Sequence, residues 1–251
     1  MTRVVALLTL VAACDGVFGL NTVPLAADGT GSGSASAYTF VQVKSQFAMM
    51  GDSSLMIPLL TVPRAGSLLV VAVGSFQNLP TAVVDSAGNN YTMVPANPQS
   101  QGGSHVALFY ASQIHTRAPF TITVTTSDKS TGNQLTVIVH EYAGPFAADA
   151  LDFQSSATGA TLVGQTVDSD CGPTTTTTDT VMVAALTRDF NGGVTATPSW
   201  RLRASMDMDH TKYAVLATQD HIAPAELADP VFSSTHDADG TSWACLWATF
   251  R

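Results

Sequence analysis

The stretch SLLVVAVGSF, residues 67–76, carries aliphatic or small side chains at nearly every position. Successive side chains of a strand point to opposite faces, so this segment would be apolar on both faces. A strand of that kind is stable only where both faces are covered, which predicts a central strand of a buried sheet. Residues 181–186 show the same two-faced apolar character and are predicted to form a second central strand.

The composition of the 251-residue chain favours strands over helices. Apolar residues make up 45% of it and charged residues only 12%, so a substantial core is available and general disorder is excluded. Glu occurs twice and Lys three times, whereas Thr and Val are plentiful.

From Tyr38 to the end, strand-like runs alternate with turn clusters. Phe120, Ile122 and Val124 alternate with threonines, which is typical of a strand with one buried and one wet face. The spacing predicts an all-β, two-sheet antiparallel β-sandwich of about 12–14 strands over residues 38–251, as a single domain. No convincing internal repeat is seen in the sequence.

The N-terminus carries an export signal. Arg3 precedes a short apolar run that ends in small residues, too short to span a bilayer. The tetrad Val11-Ala12-Ala13-Cys14 resembles the lipobox of bacterial lipoproteins, in which the cysteine thiol receives diacylglycerol and becomes the first mature residue. Residues 1–13 are therefore predicted to be a lipoprotein signal peptide and Cys14 the lipidation site. An ordinary signal peptide or an apolar first strand is the alternative.

Residues 14–37 are predicted to be a lipid-anchored tether, since residues 26–37 read AADGTGSGSASA, a composition typical of flexible coil. The expected location is the bacterial cell envelope, with the folded part facing the periplasm or the exterior. The formal charge is −9, and the loss of Arg3 with the signal peptide makes it −10. Such a surface repels phosphate backbones, so nucleic acid is not an expected partner.

Five short segments follow one another in a recognisable order: SLLVVAV at 67–73, DSAGNNY at 85–91, LFYA at 108–111, EYAG at 141–144 and WATFR at 247–251. Together they resemble a jelly-roll-type (jelly-roll/concanavalin-like) β-sandwich module of bacterial exported proteins. The resemblance implies the fold of residues 38–251 and a role in glycan binding or extracellular interaction. It implies no catalytic residues.

Two cysteines remain if Cys14 is acylated. Cys171 and Cys245 form an even pair in an oxidising compartment, which allows one disulfide. Cys245 lies in an apolar final segment, so a buried free thiol is the alternative.

Glycan binding requires exposed aromatic rings beside amide or carboxylate groups. Trp200, Tyr213, Phe190 and Asn191 are the candidates, with burial of the aromatic residues in the core as the alternative. Calcium is a further candidate ligand, because Asp237 and Asp239 stand before a glycine at loop-like spacing, although acidic turns also have this composition.

An esterase is the catalytic alternative. Residues 51–55, GDSSL, match the nucleophile block of GDS-type serine esterases, with Ser53 as nucleophile, His210 as base and Asp207 orienting it. That family needs alternating strands and helices, whereas a β pattern follows Ser53. We therefore expect a non-catalytic lipoprotein without an obligatory cofactor. It would reach the membrane through its lipid and bind a glycan or surface polymer, or alternatively an envelope protein.

Overall fold

A computed structural model describes residues 36–48, 51–96, 100, 102–127, 134–160, 166–172, 179–188, 194–196, 200–206, 215–223, 230–235 and 242–251. These belong to one compact unit, Gly33–Arg251. They form sixteen strands and no helix, and every pairing between strands is antiparallel. The all-β antiparallel sandwich is confirmed, with more strands than the sequence predicts. Among the described residues there is no helix that could cross a membrane.

The first eight strands form two sheets. A five-stranded sheet has the order β1-β8-β3-β6-β5, and a three-stranded sheet has the order β2-β7-β4. Their bounds are β1 Thr39–Ala48, β2 Ser54–Pro58, β3 Leu68–Phe76, β4 Pro80–Asp85, β5 Thr92–Met93, β6 Ser104–Ala111, β7 Thr121–Thr126 and β8 Leu135–Ala143.

The last eight strands again form a five-stranded sheet, β13-β14-β11-β16-β9, and a three-stranded sheet, β10-β15-β12. Their bounds are β9 Leu151–Ala160, β10 Thr166–Asp170, β11 Thr180–Arg188, β12 Val194–Ala196, β13 Arg201–Met206, β14 Val215–Ala223, β15 Val231–Thr235 and β16 Ser242–Phe250.

The two sets of strands have the same topology. In each set the first strand pairs with the eighth, the second with the seventh and the third with the sixth, which is the jelly-roll pattern. Even a β-bulge recurs: Val41 is the extra residue in β1, and Asp152 is the extra residue at the equivalent place in β9. The chain is therefore an internal structural repeat of two jelly rolls, which the sequence did not show.

The four sheets stack in four layers, with the five-stranded sheets in the middle. One apolar core lies between the two five-stranded sheets, a second between β1-β8-β3-β6-β5 and its three-stranded partner, and a third inside the second jelly roll. Each five-stranded sheet is thus covered on both faces. This explains the two-faced apolar runs, and β3 and β11 are indeed the middle strands of their sheets. In β7 the predicted alternation of buried and wetter side chains is also present.

The EYAG segment of β8 has a structural role. The buried carboxylate of Glu141 accepts hydrogen bonds from the Gln42 Nε2 (2.6 Å), the Arg64 backbone N (2.7 Å) and the Ser67 Oγ (3.0 Å). These bonds hold the β2–β3 connection against β1 and β8, and satisfy a charge that would otherwise be costly to bury. A Cβ at Gly144 would overlap the Tyr38 ring, so only glycine fits there.

A disulfide joins Cys171, just after β10, to Cys245 in β16, with 5.3 Å between their Cα atoms. Of the two alternatives open from the sequence, the structure has the bonded pair. It links the outer sheet of the second jelly roll to the inner one, and both cysteines are fully buried. Its closed loop of 74 residues is long enough to remove about 4 kcal/mol of chain entropy from the unfolded state in the loop-closure model.

Candidate functional site

A cleft of about 640 Å³ opens where the first jelly roll meets the start of the second. Three segments line it: the β4–β5 loop, the end of β6 with the turn after it, and residues 148–151 at the entry to β9. Its volume is within the range of small-molecule sites. The polar side chains of the described lining are mostly hydroxyls and amides, with a single carboxylate, and the lining contains no Lys or Arg.

The β4–β5 loop is the DSAGNNY segment, and Asp85 organises it. The Asp85 carboxylate accepts hydrogen bonds from the backbone N of Ala87 (2.9 Å) and Asn89 (3.1 Å), from the Asn89 Nδ2 (2.8 Å) and from the Tyr91 hydroxyl (3.0 Å). Burial, and then the neighbouring Asp85 charge, raise the pKa of Tyr91, so its hydroxyl stays a donor. Gly88 has φ +79°, a conformation that favours glycine. The motif thus encodes a rigid loop.

Asn89 fastens this loop to the turn after β6. Its Nδ2 also donates to the His115 carbonyl (2.8 Å), and its Oδ1 accepts from the His115 backbone N (2.7 Å). Asn89 is therefore fully engaged and positions its neighbours. The Asn90 amide and the His115 imidazole are exposed and make no hydrogen bond to the described protein, so both are available to a ligand.

The turn after β6 is fixed to the segment before β9. The Gln113 Nε2 donates to the Phe146 carbonyl (3.0 Å), and the Ser112 Oγ donates to the Ala148 carbonyl (2.6 Å). Gln113 has φ +49°, which costs a non-glycine residue of order 1 kcal/mol and is retained where the surroundings enforce it. Such strain is common at binding sites.

Tyr110 and Asp149 form the floor of the cleft. The Tyr110 hydroxyl donates to Asp149 Oδ1 (2.9 Å), and the ring packs against Phe250 with 5.4 Å between centroids. Burial, followed by the contact with Asp149, raises the pKa of Tyr110 to about 12, so the phenol stays protonated. Asp149 itself is exposed, and its second oxygen is free to accept hydrogen bonds.

A second polar cluster is buried between the two five-stranded sheets. Arg203 Nε lies 2.8 Å from both carboxylate oxygens of Asp220, and the guanidinium lies 3.8 Å over the Phe40 ring. Asp220 also accepts from the Tyr142 hydroxyl (2.8 Å), and the His140 Nε2 lies 2.9 Å from the Thr218 Oγ1. Phe40, His140 and Tyr142 belong to the first jelly roll, so the cluster ties the two together.

Burial determines the protonation of this cluster. Burial, followed by the Arg203 charge, lowers the pKa of His140 to about 3, so the imidazole is neutral at pH 7. Burial also raises the pKa of Asp220, while Arg203 and the Tyr142 hydrogen bond oppose that rise. The Asp220–Arg203 pair is closed to solvent, since the two side chains are 0% and 8% exposed.

The cleft and the buried cluster occupy equivalent positions in the repeat. Tyr110 in the sixth strand of the first jelly roll pairs with Val70 of the third strand, β3. Asp220 in the sixth strand of the second jelly roll pairs in the same way with Val183 of its third strand, β11, so Tyr110 and Asp220 are equivalent. Leu151, which lines the cleft, corresponds to Phe40, because each pairs with the aromatic residue near the end of the eighth strand. At the second position Arg203 lies over Phe40 and binds Asp220. The repeat therefore has an open cleft at one position and a filled one at the other.

Most of the residues selected from the sequence are not at this cleft. Trp200 is 4% exposed and packs in the core of the second jelly roll, so it offers no ring face to a sugar, and its selection as a glycan platform is corrected to a core role. The remaining candidates lie outside the described residues: Cys14, Phe190, Asn191, Tyr213, Asp237 and Asp239. In the described chain no group of three or more His, Cys, Asp or Glu residues could hold a metal.

The esterase motif falls in a turn. Ser53 precedes β2, and its carbonyl accepts the Thr126 backbone N (2.9 Å), while His210 and Asp207 are outside the described residues. The described chain lacks the helices of that family's fold.

Two segments of the sequence carry residues of the cleft that the sequence analysis did not select as binding residues. The segments DSAGNNY and LFYA, which carry the family resemblance, supply Asn89, Asn90 and Tyr110. Asp149 gave no signal, because it comes next to Tyr110 only through the packing of the two jelly rolls. No protein-family model, curated protein or solved structure matches the chain.

Proposed function

We propose that this chain is an exported, lipid-anchored binding module that recognises a glycan or surface polymer of the cell envelope through the cleft of its first jelly roll. The observation that carries the proposal is the cleft, with a rigid polar wall and several unengaged hydrogen-bonding groups. Sugars present hydroxyl groups in fixed directions, so they are recognised by preorganised amides and carboxylates of this type. These polar groups take the place of the ring stacking expected from the sequence, because Tyr110 of the lining is buried.

The anchor part of the proposal rests on residues 11–14 and predicts acylation at Cys14. Cells that express the protein should incorporate labelled palmitate into it and retain it in the membrane fraction. Cys14→Ser should abolish both the label and the retention, because the thiol is the acyl acceptor. Equal labelling of the two proteins would contradict the anchor and leave the cleft unaffected.

Binding by the cleft is tested with the purified full-length protein in mild detergent on a polysaccharide and oligosaccharide array. We expect saturable binding with one site per chain, because Arg203 fills the equivalent position of the second jelly roll. Asn90→Ala should weaken binding by roughly 3- to 10-fold, the contribution of one or two neutral hydrogen bonds.

The control for that experiment is Thr123→Ala, on the outer face of β7 and away from the cleft, which should bind like the wild type. Saturable binding that Asn90→Ala leaves unchanged would place the site elsewhere. An array without any binding would contradict glycan recognition.

Recognition of an envelope protein is the second candidate function, and one surface favours it. Of the six exposed large apolar side chains in the described chain, five lie on the β2-β7-β4 sheet or beside the ends of its strands: Met56, Leu60, Val62, Leu79 and Val84. Met56 and Val84 are 61% and 55% exposed and flank Thr123 in register. An apolar surface of this kind is typical of protein interaction sites.

A further inference from the structure

We infer that the cleft selects a hydroxyl-bearing sugar unit without negative charge and rejects anionic polymers, with Asp149 as the anchoring acceptor. This inference rests on the proposed glycan-binding function and specifies its ligand class. It depends on which groups of the cleft remain free once the internal hydrogen bonds are assigned.

The free groups differ in what they demand of a ligand. The second oxygen of Asp149 can only accept, so the ligand must bring a donor, which a sugar hydroxyl provides. The Asn90 amide both donates and accepts, so it can bind a second hydroxyl. The His115 imidazole, which also lines the cleft, adds a further polar group.

Charge excludes the acidic alternatives. A uronate, phosphate or sulfate would bring acceptor oxygens to a carboxylate, with no Lys or Arg in the described lining to compensate. The formal charge of −9 adds a repulsive field around the whole chain. Like charges placed together in a binding site reduce the affinity for the wrong ligand, so Asp149 serves selection as well as binding.

The arrangement is rigid before a ligand arrives. Asp85 and Asn89 hold the loop that carries Asn90, and the Tyr110 hydroxyl orients the Asp149 carboxylate. Groups fixed in this way lose little entropy on binding, which favours recognition of one hydroxyl arrangement.

The test compares ligands that share a backbone and differ in charge, by calorimetry on the full-length protein. The probes are two pairs of a neutral and an anionic ligand: galacto-oligosaccharides against oligogalacturonates, and malto-oligosaccharides against their sulfated forms. We expect the neutral member of each pair to bind more tightly. Asp149→Asn should weaken neutral binding by roughly 10- to 100-fold, as for loss of a hydrogen bond to a charged group, and should narrow the difference between neutral and anionic probes.

The matched control is Asp152→Asn, which also removes one negative charge and lies three residues further along the chain. Asp152 forms an ion pair with Arg251 at the surface, so its replacement should leave every affinity within about twofold. Asparagine at position 149 keeps an oxygen for Tyr110, so an unchanged thermal midpoint verifies folding. Tighter binding of an anionic probe than of its neutral counterpart, or equal effects of the two variants, would overturn the inference while the proposed function stands. If none of the four probes binds at millimolar concentration, both the inference and the glycan-binding function fail.

Discussion

Replacement of Arg203 by alanine is expected to lower the free energy of unfolding by about 3–5 kcal/mol, the usual cost of removing one member of a buried ion pair. The loss arises because the Asp220 carboxylate, which is 0% exposed, would keep only the Tyr142 hydroxyl as a side-chain donor from the described residues once Arg203 is gone. Phe40 would also lose the guanidinium that lies over its ring. Chemical denaturation followed by tryptophan fluorescence measures the change.

Two further variants separate charge from packing. Arg203→Lys keeps the charge but loses the planar contact with Phe40 and the fork on Asp220, so an intermediate loss is expected. Arg251→Ala removes the partner of Asp152. The Arg251 side chain is 62% exposed, and its guanidinium lies 2.7 Å from Asp152 Oδ1. That loss should stay below about 1 kcal/mol. Equal losses for Arg203→Ala and Arg251→Ala would show that the buried cluster does not hold the two jelly rolls together.

Acid should destabilise the protein through His140. The native pKa of this group is about 3 and its unfolded value 6.5, so between these values the unfolded chain binds a proton that the native state does not. The His140 contribution is therefore complete above pH 6.5 and is lost as the pH falls. The slope is about 1.4 kcal/mol per pH unit for one proton. Between pH 6.5 and 4.5 this amounts to about 2–3 kcal/mol.

The pH dependence is measured as the difference in unfolding free energy between the wild type and His140→Gln, which keeps a donor for Thr218. The groups around His140 are Thr218, Tyr142, Asp220 and Arg203. The raised pKa of Asp220 acts in the opposite direction, because it stabilises the native state below pH 3.8 and loses this effect as the pH rises. Since Asp220 is present in both proteins, its contribution cancels to first order.

The control for the pH series is Thr123→Ala, on the outer face of β7, which removes no titratable group and should leave the pH curve parallel to that of the wild type. If the His140→Gln and wild-type curves also run parallel between pH 6.5 and 4.5, the result would contradict the burial of the His140 imidazole in the cluster.

The filled and open positions of the repeat explain why the cleft lies at one of the two equivalent positions and not at the other. Both jelly rolls bring an aromatic residue of the eighth strand against the sixth strand of the other: Phe250 against Tyr110, and Tyr142 against Asp220. At the Asp220 position, Arg203 occupies the space and its charge is neutralised. At the Tyr110 position the described lining has no Arg to occupy the space, which stays open to solvent.

Sequence patterns alone predicted several features correctly. The central strands were identified from residues 67–76 and 181–186, because a strand that is buried on both faces has a nearly continuous run of apolar residues. The alternation in β7 followed from one-sided burial. The disulfide between Cys171 and Cys245 was one of two alternatives, since cysteine parity limits pairing but does not decide it.

Other features depend on contacts between residues far apart in the chain. Trp200 was selected as an exposed ring, yet an aromatic residue near a turn has the same local sequence whether its ring faces the core or the solvent, and here it faces the core. Asp220 and Arg203 look like ordinary surface charges in the sequence, because their burial arises only when the second jelly roll closes on the first.

The sequence by itself thus determined the class of the fold, since side-chain alternation and composition act within single strands. It also encoded the rigid β4–β5 loop, whose hydrogen bonds run largely between residues 85 and 91. Only the tertiary structure decided the repeat, the buried ion pair and the cleft. Strand order is set by long-range pairing that leaves little trace in local patterns, and two jelly rolls with the same topology need share only the positions of their apolar faces, not their residues.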